Sequence, residues 1–158
     1  IYQSNTRYEE HAKEIDRLTG QTWNVVKSFA DHDAEGRETL NRHGVNTVNA
    51  EKSVEDGIQA VKSRLALDDR GESDIYFMEG ARVQRPDPEL ILDNATNVYK
   101  TVDEVPGYVW NEDKEDDIPV KEDDHGMDAM RYLVYSLDGG IDISDEEIDR
   151  VKKLTEGF

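Results

Sequence analysis

A chain of 158 residues, 35% hydrophobic and 35% charged, has room for one domain around an economical core. It shows no apolar run near 18 residues and no leader pattern, so a soluble, cytoplasmic protein with no membrane partner is expected. The absence of cysteine excludes disulfides and thiolate metal centres, and 19 basic against 37 acidic residues, a net charge of −18, argues at face value against a phosphate-binding surface.

Residues 5 to 19 read as an amphipathic helix, with Asn5 or Thr6 as cap, His11, Ile15 and Leu18 at helical spacing, and Gly20 as stop. Trp23 to Ala30 is an apolar, partly β-branched run, read as a buried strand with Asp31 just beyond its end. Glu35 to His43 forms the next helix, closed by Gly44, and Val45 to Val48 the next strand. Ser53 caps a helix through about Leu67 whose face is Val54, Ile58, Val61 and Leu65, and Ile75 to Met78 is a third strand. The alternation of strand and helix implies an α/β fold with parallel pairing through crossovers.

From Pro86 the pattern weakens. Leu90 to Leu92 suggest a short helix, Tyr108 to Trp110 an extended segment, and Asn111 to Asp117, with five acids in seven residues, a solvated loop. A further apolar helix follows His125, its stripe made by Met127, Met130, Leu133, Val134 and Leu137. His125 and Asp128, three apart, share one face near its start, where they suit a divalent-metal site or simply a helix terminus. Asp123 and Asp124 read as caps of that helix. Gly139-Gly140 sets off residues 139–158, a tail with a capping-box pattern at Ser144 and Glu147 and a helix to about Leu154.

Two stretches also resemble a known family. The run Pro119-Val120-Lys121-Glu122-Asp123-Asp124-His125-Gly126-Met127-Asp128-Ala129-Met130-Arg131-Tyr132 fills the pattern P-V-K-x-x-D-H-x-M-D-A-x-R-Y that closes the nuclease domain of tailed-virus and prophage terminase large subunits. Ala30-Asp31-His32-Asp33 followed by Lys52 to Ile58, with Gly57 in a K-x-x-x-x-G-I pattern, resembles that family's acid-ended strand and succeeding helix. The resemblance covers about residues 1–138. It implies a ribonuclease-H-like fold, a mixed or parallel sheet flanked by helices, and endonuclease activity on double-stranded DNA with Mg2+ or Mn2+. Its other partners would be a terminase motor domain, a small subunit and a portal.

The positions that match the family's catalytic and metal-binding residues are Asp31 and Asp128, with His125 beside the latter. Asp33 is the alternative or support to Asp31, because residues two apart on an extended strand face the same way. Lys52 reads as a phosphate contact or a helix-start lysine, and Arg131 as a phosphate contact or the partner of a nearby acid. The family's first metal-binding aspartate precedes the segment matched by Ile1-Tyr2-Gln3-Ser4, so the resemblance implies an N-terminally incomplete sheet one carboxylate short. No G-x-x-x-x-G-K-[ST] loop is present. A catalytically silent piece, completed by another chain segment at its sheet edge, is therefore the alternative. A calcium-binding acidic domain is disfavoured because no D-x-[DN]-x-[DN]-G loop occurs.

Acids spread through every helix and loop, rather than gathered in a tail, suggest adaptation to high salt. At 1 M the screening length falls to about 3 Å, and self-repulsion is damped.

Overall fold

The structure, a computed structural model, describes residues 5–20, 25–31, 33–83, 86–92, 100–112 and 118–139. They fall into two compact units, one of Arg7–Ala50 with residues 136–139, the other within Glu51–Tyr135 with residues 5–6. The expected C-terminal helix, Trp23 and His32 lie outside the described residues.

The first unit has α1 (Tyr8–Thr19), β1 (Ser28–Ala30), α2 (Ala34–Arg42) and β2 (Thr47–Asn49). The two strands pair in parallel, Phe29 opposite Val48, as the strand–helix–strand order requires. The ladder is extended by the amide of Ala50, which donates to the carbonyl of Ala30 at 2.8 Å. Helix α2 is tied to β2 by the side chain of Asn41, whose Oδ1 accepts from the Thr47 amide at 2.6 Å and its hydroxyl at 2.9 Å. Gly44, at φ +88°, ends α2 in the left-handed region that a β-carbon disfavours. Helix α1 starts at Tyr8 from an Arg7 cap, later than the expected Asn5 or Thr6, with Glu9 and Glu10 in its first turn and Arg17 in its last. Ala12 is buried.

The second unit is built on α3 (Val54–Leu65) and the motif helix, with α4 (Pro88–Leu92) and a 3-10 helix (Thr101–Gly107) between them; the motif helix, α5, is His125–Asp138. Gly57, Ile58 and Val61 form the buried face of α3. On α5 the buried positions are Met127, Arg131, Val134 and Ser136, the first three at i, i+4 and i+7. Leu133, expected in the stripe, is 48% exposed, and Arg131 takes a buried position in its place. Trp110 makes an antiparallel bridge with Pro119, and the amide of Asn111 donates to Ile118, so the chain doubles back before the motif.

Ile75 to Met78, expected as the third strand, pairs with no strand among the described residues. Its surroundings are bonded locally instead. The hydroxyl of Ser73 donates to the carbonyl of Ile75 at 2.8 Å, and the amide of Asp74 donates to Arg64. A strand exists only where a neighbour accepts its ladder, which an apolar β-branched run cannot guarantee by itself. The described sheet thus has two strands. The chain is α/β, with parallel pairing.

Candidate functional site around Asp128

Asp128 sits in the first turn of α5, and its two carboxylate oxygens have different partners. Oδ2 accepts from Lys121 Nζ at 2.8 Å, while Oδ1 accepts from Arg131 Nη2 at 2.8 Å and from the Tyr108 hydroxyl at 3.3 Å. Lys121 also pairs with Asp124 at 2.9 Å, so one ammonium bridges two carboxylates. Asp124 is buried in the residue position before the helix, as a cap would be, and its carbonyl accepts from the Asp128 amide. Burial works against the charge of Asp128, but the hydrogen bonds from Lys121 and Arg131 outweigh it and hold its carboxyl below the usual range. Lys121 is also partly desolvated, and its hydrogen bonds to Asp128 and Asp124 more than offset this and push its ammonium above the ordinary lysine value. Burial, then the Asp128 charge, raise the Tyr108 phenol.

Arg131 joins the two sequence motifs. Its Nη1 donates at 3.0 Å to the carbonyls of both Lys52 and Ser53, the residues that lead into α3. A β-carbon on Gly57 would stand 2.6 Å from Arg131 Cγ, so only glycine lets α5 approach α3 this closely here. The hydroxyl of Tyr135 reaches Asp56 on α3 at 3.2 Å. Of the two readings of Arg131, the structure has the acid partner: the guanidinium is buried against Asp128 and the chain's own carbonyls.

The start of α5 is held by a residue that no sequence pattern marks. Glu104, in the 3-10 helix, is 2% exposed and its Oε2 accepts from the Met127 amide at 2.9 Å. Burial raises its carboxyl above the ordinary glutamate value despite the amides of Met127 and Gly126. Gly126 makes this possible, because a β-carbon there would lie 2.8 Å from Thr101 and 2.9 Å from Glu104 Oε1. The capping carboxylate is thus supplied from 22 residues upstream of Gly126, beyond the reach of a local capping box.

The other expected ligands are placed as follows. His125 is the first residue of α5 and is exposed. Asp31 is exposed and directly follows β1, the carboxyl end of a parallel strand. Asp33 caps the position before α2 and accepts a hydrogen bond from the Tyr8 hydroxyl. That bond, with the nearby amides of Gly36 and Glu35, keeps the Asp33 carboxyl low. Gly36 lies against the Tyr8 ring, which pins α1 to α2. Asp33 is thereby engaged in holding two helices together. Asp31 and Asp33 belong to the Arg7–Ala50 unit, and His125 and Asp128 to the Glu51–Tyr135 unit.

Asp124 and Asp128 are hard oxygen donors of the kind Mg2+ and Mn2+ take, and they already share a cationic group. Among the described residues, no three histidine or acidic side chains gather as a ready cage for a metal ion. No described helix is long and apolar enough to cross a membrane. Comparison with protein-family models, curated proteins and solved structures gives no match to this chain.

Proposed function

We propose that this chain is the nuclease part of a viral DNA-packaging terminase, a metal-dependent endonuclease that cuts double-stranded DNA in the cytoplasm of the host cell. The observation that supports the reading is the meeting of two motifs: Arg131 of the closing motif holds the carbonyls of Lys52 and Ser53 and packs against Gly57 of the K-x-x-x-x-G-I motif. Residues separated by more than 70 positions are there joined by hydrogen bonds around one carboxylate, Asp128. In this reading the fold is ribonuclease-H-like, and Asp128 and Asp31 are the principal carboxylates, with His125 beside Asp128. Bound Mg2+ or Mn2+ would supply an activated water and a charge that stabilises the leaving oxygen. The chain's own part is to keep the Asp128 carboxylate ionised and aimed, through Arg131 and Tyr108.

The test is nicking of supercoiled plasmid by the protein expressed from its full reading frame, with Mn2+. Nicking that needs the metal, and that Asp31→Ala and Asp128→Ala each abolish with helical circular dichroism unchanged, is the expected result. Cleavage that survives both substitutions, or no cleavage under any divalent ion, would overturn the proposal.

A further inference from the structure

Lys121 makes a contact that the nuclease reading does not use. Its ammonium lies 2.9 Å from Asp124 Oδ2 and 2.8 Å from Asp128 Oδ2, between the two oxygens a divalent ion would need. Asp124 Oδ2 is buried, and the Lys121 ammonium is its ion-pair partner. Asp128 has a second cation, Arg131, but that one is buried and fastened to the Lys52 and Ser53 carbonyls. The lysine side chain is 51% exposed, and that of Arg131 only 4%. One cation of the cluster is therefore fixed and the other is free to swing into solvent.

We propose that Lys121 is a built-in stand-in for the divalent ion: it occupies the position between Asp124 and Asp128 and leaves when the metal enters. This rests on the assignment of Asp128 as a metal ligand. The two aspartates, Lys121 and Arg131 balance in charge, so the cluster holds together without an ion. A divalent cation that arrived with Lys121 in place would face an uncompensated ammonium at contact distance, and it must displace that group from both oxygens. With Lys121 gone, two carboxylates face a single arginine, and the site attracts a cation. Lys121 thus lowers the site's metal affinity and keeps two close carboxylates from repelling each other when no ion is bound.

The experiment is calorimetric titration of MnCl2 into the full chain in 1 M KCl, which suppresses diffuse ion binding by an acidic protein. Lys121→Met keeps the apolar stem and removes the charge, and Lys121→Arg keeps the charge. Lys121→Met should bind one Mn2+ at least tenfold more tightly than the parent, and Lys121→Arg should stay within about threefold of it. Adding Asp128→Asn to Lys121→Met should remove the gain. If Lys121→Met proves poorly folded by circular dichroism, Lys121→Gln serves with the same expectation. Unchanged or weaker binding in the charge-free variants, no binding by any variant, or a gain that survives Asp128→Asn would overturn the proposal. Plasmid nicking plays no part in this readout, so failure here leaves the nuclease reading to its own test.

Discussion

Glu104→Ala is expected to destabilise the chain, and Glu104→Gln to leave it close to the parent at neutral pH. Glu104 is 2% exposed, Met127 is 6% exposed, and the bond between them is 2.9 Å. Truncation to alanine leaves the Met127 amide buried without an acceptor, which costs about 1–3 kcal/mol. The vacated space adds to this, while release of a buried carboxylate subtracts, because burial already holds Glu104 above its ordinary pKa. A net loss of about 2 kcal/mol is the expected balance. Glutamine retains a carbonyl to accept the amide and carries no charge to desolvate. The sign of the pH dependence follows from the raised pKa. The folded state binds the Glu104 proton more tightly than the unfolded state, so its contribution is fully present below the unfolded value. It is lost as pH rises through the raised folded value. The stability of Glu104→Gln relative to the parent should therefore rise with pH over that window and level off above it. Urea unfolding followed by circular dichroism at several pH values measures both effects. An alanine variant within about 0.5 kcal/mol of the parent, or a glutamine variant as damaged as alanine, would refute the role of Glu104 as the cap of α5.

Gly57→Ala should lower the melting temperature. The new β-carbon would stand 2.6 Å from Cγ and 3.0 Å from Cδ of an Arg131 pinned at its far end, and such overpacking costs about 1–3 kcal/mol, more than the helix propensity of alanine returns; a higher melting temperature would show that Arg131 yields freely. Tyr8→Phe should move the Asp33 carboxyl back up toward its ordinary pKa, since the Tyr8 hydrogen bond is the main cause of its depression. The stability that a depressed carboxyl adds is present above the unfolded pKa and lost as pH falls through the folded one, so acid unfolding of the variant should begin at higher pH, as circular dichroism during acid titration would reveal. With a net charge of −18, thermal unfolding in increasing KCl should show a midpoint that climbs toward molar salt, and a midpoint indifferent to salt would refute the expectation of high-salt adaptation.

Helices and their order were legible because amphipathic spacing and punctuating glycines are local properties. Helix α2 ends at Arg42 with Gly44 just beyond, β1 falls within its expected run, β2 starts two residues later than expected and ends one residue later, and α5 begins at His125 as its acid-rich entry suggests. The parallel pairing of β1 with β2 was also implied, since a helix must carry the chain back between them. What the tertiary structure alone decided is where polar groups find partners. Ile75 to Met78 has strand composition, yet pairing requires a neighbour that composition does not supply. Leu133 has the apolar character of a core residue and is exposed, while charged Arg131 is buried because two carbonyls and Asp128 accept its protons. Asp128 could be singled out from the motif, but its engagement by Lys121, Tyr108 and Arg131 could not. Glu104 looks like any other acid until folding brings it under the first turn of α5. Hydrophobic periodicity is a one-dimensional signal, whereas the burial of a charge depends on groups gathered from distant parts of the chain.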